Sequence, residues 1–313
     1  MVKGENAEPQ AAPSPTIPPA VSELPKVIYV MGAGRSGSTI LGVTLGNCDG
    51  WFFAGELDKW LLMSGISMYE RDAPEDPHRD KELWRTVRED VDAPSDLFGR
   101  EARRCIEHST SLFRLDKLSV RHRLRPRYRF VTEKLYRSVA KRTGAGHIVD
   151  SSHLPLRALQ LQSMRGIELY LLFLVREPHG VVASWDRRGL PEPRFSMLAT
   201  NAYLWLTNLL SALVFLRHSR ERRLFVRYED FLTKPEAVLG DILACASSDT
   251  AIPDLGSLGT GNPYHGNRLI FSERVSVRRA SATPAPRAPL TRALQLPWAF
   301  ILARLRPLAG AGL

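Results

Sequence analysis

Apolar positions along this chain gather into short runs rich in β-branched and aromatic residues, and each run leads into a stretch with helical patterning. "KVIYVMG" precedes residues 38–46, "GHIVDSS" precedes 155–164, "IELYLLFLVRE" precedes 178–188 and "RRLFVRYED" precedes 235–246. Strands that alternate with helices predict a mainly parallel central sheet covered on both faces, a three-layer α/β/α architecture. Pro155, Pro178 and Pro235 stand where helices should begin, a position proline tolerates because its missing N–H would lack a partner there anyway.

Between about residues 69 and 144 the pattern changes to charged helical segments, which reads as a helical insertion near the functional edge of the sheet. The apolar run 202–217 is interrupted by Thr207, Asn208 and Ser211 and is short for a bilayer, so a buried helix is expected. Five prolines in residues 1–24, with no apolar core, predict a disordered tail and no signal peptide. Residues 25–280 form the expected catalytic domain. Residues 281–313 form a tail whose basic amphipathic helix packs on the domain or makes peripheral contact with a membrane.

Composition adds little until charge is considered. The 313 residues are 44% hydrophobic, enough for one large core, but the formal net charge is +10. Such a surface attracts anions: nucleic acid, anionic lipid or a small polyanionic substrate. Cys48, Cys105 and Cys245 are odd in number and widely spaced, which suggests neither a disulfide framework nor a zinc site and fits a reducing cytoplasm.

The most informative stretch is "VIYVMGAGRSGSTILGVTLG", a strand followed by a glycine-broken, hydroxyl-rich turn. Gly32 to Thr39 keep the frame of a P-loop, but Ser38 stands where the lysine belongs. Glycines let backbone N–H groups face phosphate oxygens, and the next helix aims its positive end at the same anion. Without the lysine, contact with a triphosphate tail is lost. The remaining loop cation is Arg35, whose forked donors suit a donor with a single 5′ phosphate group.

In "GAGRSGSTIL" the chain resembles the sulfotransferases that use 3′-phosphoadenosine 5′-phosphosulfate (PAPS), of bacterial type, with some likeness to the tyrosylprotein and carbohydrate enzymes. The resemblance implies that Gly34, Arg35, Ser36, Gly37, Ser38 and Thr39 hold the 5′-phosphosulfate. It also implies that Arg176 and Ser184 of "LVREPHGVVASW" hold the 3′-phosphate. An arginine at a strand end and a hydroxyl two helical turns later can converge on one phosphate. Fainter likenesses, "RYEDFLTKPEAVL" and "GNPYHGNR", extend it over residues 26–279. Arg268 is a further 3′-phosphate candidate there, although the spacing departs from the family form. Tyr228, Glu229 and Asp230 read as a strand end and capping turn.

The implied reaction is in-line transfer of a sulfuryl group to a hydroxyl of a small metabolite, glycan or lipid, governed by positioning and electrostatics, with no metal expected. Arg35 would stabilise the leaving phosphate. The acceptor must also lose a proton, and two bases compete. Glu56 in "FFAGELDKW" follows a predicted strand and resembles a Gly-Glu segment of the family. His153 in "VDSSHLPLRAL" ends another strand and titrates near neutrality. Asp150, Ser151 and Ser152 shape that turn or meet the acceptor. Arginines from 121 to 129 read as a solvated face, an acidic acceptor's path or a nucleic-acid contact, although no nucleic-acid module accompanies them and no nucleic-acid partner is expected. Two other readings remain open: a P-loop kinase or NTPase, and a non-enzymatic basic protein that binds nucleic acid or membrane.

Overall fold

The computed structural model describes residues 24–72, 81–91, 96–186, 197–278 and 289–308. The sequence reading of the N-terminal tail lies almost wholly outside them. The elements run β1 (Lys26–Met31), α1 (Ser38–Gly46), β2 (Trp51–Gly55), α2 (Met68–Asp72), α3 (Lys81–Val91), α4 (Asp96–Ala102), α5 (Leu118–Thr143), β3 (His147–His153), α6 (Pro155–Leu161) and β4 (Glu168–Val175). They continue with α7 (Pro178–Asp186), α8 (Met197–Leu216), β5 (Arg223–Arg227), α9 (Tyr228–Thr233), α10 (Pro235–Cys245), β6 (Leu258–Gly259), β7 (Arg274–Val275) and α11 (Pro289–Leu308).

Strands β1 to β5 form one sheet in the order β2-β3-β1-β4-β5, and every pairing in it is parallel. The α/β reading therefore holds. Burial on both faces explains the near-continuous apolar runs. Along β4, Leu169, Leu171, Phe173 and Val175 point into a core closed by α5, α6 and α8. Tyr170, Leu172 and Leu174 point the other way, into a core closed by α1 and α10.

Where a helical insertion was expected, the described residues form the helices α2 to α5, with short helical turns between α4 and α5. Two readings change. Tyr228, Glu229 and Asp230, expected as a strand end and capping turn, begin the helix α9. The apolar run 202–217 belongs to a longer helix, α8, in which Leu198–Leu216 is long and apolar enough by length and composition to cross a bilayer. In this fold Leu204, Ala212, Val214 and Phe215 of α8 are buried in the domain. The C-terminal helix α11 packs on α8, with Trp298 buried against Trp205 at 6.0 Å between ring centroids.

From β1 the chain moves outward through β2 and returns by β3, whereas β4 and β5 lie on the opposite side of β1. Open sheets of this kind leave a crevice at the carboxyl ends of the strands where the order reverses. Five residues placed there arise one per strand: Arg35 in the loop after β1, Glu56 directly after β2, His153 at the end of β3, Arg176 directly after β4 and Tyr228 directly after β5.

Candidate active site

All five line one cavity of about 520 Å³, within the range of small-molecule sites. Gly34, Gly37, Ser38, Thr39 and Ser184 line it too, so most of the residues expected at the two ends of the donor are brought together. Ser36 lies beneath this surface, buried, with its Oγ lacking a hydrogen-bond partner among the described residues. Arg268 does not line the cavity. It is exposed at the start of the 3-10 turn Arg268–Phe271, next to the lining residues Asn267 and Leu269.

The loop is held from two directions. The Gly34 N–H donates to the Tyr203 hydroxyl of α8 at 3.1 Å, and Arg176 Nη1 donates to the Arg35 carbonyl at 3.1 Å. Arg35 takes φ 72° and Gly37 φ 91°, both left-handed. At Gly37 a side chain is also excluded by space, because a Cβ would overlap the Tyr228 ring. That ring in turn lies 4.7 Å below the Arg176 guanidinium, a cation–π contact that fixes Arg176 toward the loop. Gly37 caps α1 without a side-chain hydrogen bond. Helix amides that no side chain caps are donors for an anion. A cradle that only glycine fits, uncapped amides and two arginines match a phosphate-bearing ligand.

Across the cavity, the turn after β2 is fixed by a buried network. Asp150 Oδ1 accepts from the N–H groups of Leu57 (3.4 Å) and Ser152 (2.9 Å), and Ser152 Oγ accepts from the Asp58 N–H at 2.9 Å. Asp150 is held from behind by the Tyr136 hydroxyl at 2.5 Å and Arg157 at 3.4 Å, and Arg157 also pairs with Glu107 at 2.6 Å. Asp150 and Ser152 thus shape the turn, one of the two roles the sequence left open.

Glu56 is reached by three basic groups: His265 Nδ1 at 3.0 Å, Lys59 Nζ at 3.6 Å and His153 Nε2 at 3.8 Å. Only the His265 contact is at hydrogen-bond distance. Burial pushes the Glu56 carboxyl up, but interactions with His153 and His265 and the Lys59 charge outweigh it and hold the pKa well below the usual carboxylate range. Glu56 is therefore ionised and acceptor-only, so His265 Nδ1 donates in their hydrogen bond.

His265 is a cavity-lining residue that the sequence reading missed. It comes to the site because Gly55 pairs with His265 as a parallel bridge and the Glu56 N–H donates to the His265 carbonyl at 2.8 Å. The only local signal was the glycine- and asparagine-rich turn "GNPYHGNR" around it. Lys59, Tyr203 and Tyr228 also join the lining beyond expectation.

No protein-family model matches the sequence, and no curated protein matches it. In structure the chain is similar to a sulfotransferase domain from the curacin biosynthetic pathway: 17% identity, 89% of this chain and 99% of that one covered, TM-score 0.48. It is likewise similar to a sulfotransferase domain from the Synechococcus PCC 7002 olefin synthase, with 19% identity, 90% and 98% coverage and TM-score 0.45. A sulfotransferase from Alicyclobacillus acidocaldarius gives 15% identity, 90% and 94% coverage and TM-score 0.45.

Proposed function

We propose that this protein is a sulfotransferase that takes its sulfuryl group from PAPS and delivers it to an acceptor hydroxyl. The observation that carries this reading is one cavity lined both by the lysine-free loop with Arg35 and by Arg176 and Ser184, facing the Glu56–His265 pair. When bound, PAPS supplies a sulfuryl group on a phosphate leaving group. Arg35, Ser38, Thr39 and the first amides of α1 hold the 5′ side and neutralise charge gathering on the leaving oxygen. Arg176, braced by Tyr228, and Ser184 hold the 3′-phosphate. Arg268 has no part in this assignment.

The acceptor proton goes to His265 Nε2, with Glu56 orienting the ring and stabilising its cation. This arrangement follows from the low pKa of Glu56, which makes its own carboxylate a weak proton acceptor. His153, against the other Glu56 oxygen, supports the same carboxylate. The acceptor is a small metabolite, glycan or lipid alcohol.

Thermal shift with 3′-phosphoadenosine 5′-phosphate (PAP) and with ATP, each with and without Mg²⁺, tests the donor. PAP is expected to raise the melting temperature independently of Mg²⁺ and more than ATP does. Stabilisation by ATP that requires the metal would instead make the protein a P-loop kinase or NTPase. Substitution of His265 tests the base. His265→Asn should lower kcat by about 10²-fold or more at unchanged PAP affinity. A fully active His265→Asn enzyme would return the role to Glu56.

A further inference from the structure

Between α4 and α5 the surface carries exposed apolar side chains beside stacked arginines, neither of which the reaction uses. The 3-10 turns Ser109–Phe113 and Leu115–Lys117 project Phe113 and Leu115 into solvent, 73% and 70% exposed, and Leu118 at the start of α5 is 52% exposed. Leu112 adds to this apolar tip. A contiguous apolar patch on a soluble surface marks an interaction site more often than a scattered one does.

Directly behind the tip, Arg121, Arg125 and Arg129 recur every four residues and share one side of α5, a ladder roughly 12 Å long. Arg121 Nη2 donates to the Ser111 carbonyl, which ties the tip to the ladder. Among the described residues the Nε atoms of all three arginines are buried without a hydrogen-bond partner. Among the described residues no carboxylate pairs with any of them. The nearby Asp116 is engaged by Arg114 at 3.6 Å and Lys117 at 3.8 Å. Burial, and then the charges of Arg121 and Arg129, pull the Arg125 guanidinium below its usual pKa. Like charges stacked this way call for an anion.

One occupant satisfies both halves. A nucleic acid would meet the arginines but leave three leucines in water. A neutral apolar partner would do the reverse. An anionic bilayer offers phosphates to guanidinium groups and an acyl boundary to Phe113 and the leucines. We propose that this tip and ladder dock the protein peripherally on anionic lipid membranes. The helical turn Arg103–Glu107 leads through His108 into the tip, and its Arg103 pairs with the buried Asp58, two residues beyond Glu56, at 3.1 Å.

Flotation of the full chain with phosphatidylcholine vesicles, and with vesicles half phosphatidylglycerol, tests this without reference to donor or reaction. Binding is expected to the anionic vesicles alone and to weaken as NaCl rises from about 0.05 to 0.5 M. Arg121→Gln/Arg125→Gln/Arg129→Gln should weaken partitioning by roughly 100-fold, and Phe113→Ser/Leu115→Ser by about 10-fold or more. The charge-preserving Arg121→Lys/Arg125→Lys/Arg129→Lys, with circular dichroism on every variant, separates loss of charge from loss of fold. Failure of the folded wild type to bind anionic vesicles at low salt would overturn the proposal. So would unchanged binding in either neutral variant, or competition by single-stranded DNA that depends on the ladder but not on Phe113 and Leu115.

Discussion

Arg35→Ala is expected to slow sulfuryl transfer by about 10²–10³-fold, the cost of removing a donor aimed at charge that develops in the transition state. The thermal midpoint should barely move, because residue 35 already occupies a left-handed turn position in a side-chain-bearing form and alanine adds no new backbone demand. The loop itself is held by Tyr203 and Arg176 through backbone atoms, which the substitution leaves in place. Steady-state transfer from labelled PAPS, paired with a melting curve, checks both halves. Activity within tenfold of wild type would remove Arg35 from the chemistry.

The largest stability effect is expected at Arg157, which takes no direct part in the cavity. Its side chain is 2% exposed and lies between two buried carboxylates, Glu107 and Asp150. Arg157→Ala leaves both without their cation, and breaking a buried pair in this way costs about 3–5 kcal/mol. For a domain of this size that corresponds to a fall in Tm of roughly 10 °C. Since Asp150 also fixes the turn that carries Glu56, kcat should fall at temperatures where the variant remains folded. Introducing Glu107→Gln alongside Arg157→Met should recover part of the lost stability, because the uncompensated charge is removed together with its partner. A Tm within 2 °C of wild type for Arg157→Ala would contradict the assignment of this network.

Much of the site was legible because each strand ends where the chemistry begins. Arg35, Glu56, His153 and Arg176 each follow a run whose composition already reads as a strand, and parallel strands place their carboxyl ends along one edge. Helix starts were equally readable at Pro155, Pro178 and Pro235, whose ring fixes the first-turn geometry. What stayed hidden depends on contacts between distant segments. His265 reaches Glu56 across 209 positions of sequence, through backbone bonds that any residue could make. Tyr228 looked like part of a capping turn because its role, a ring wedged between Gly37 and Arg176, exists only once β1, β4 and β5 lie side by side. Arg121, Arg125 and Arg129 of α5 were visible as charge, but that no carboxylate among the described residues pairs with them, and their link to an apolar tip, appear only in three dimensions.

The most direct measurement is a crystal structure of the complex with PAP. It should place the 5′-phosphate on the amides of residues 36–39 beside Arg35, and the 3′-phosphate between Arg176 and Ser184. Density for the nucleotide outside this cavity, or with both arginines turned away from its phosphates, would contradict the account.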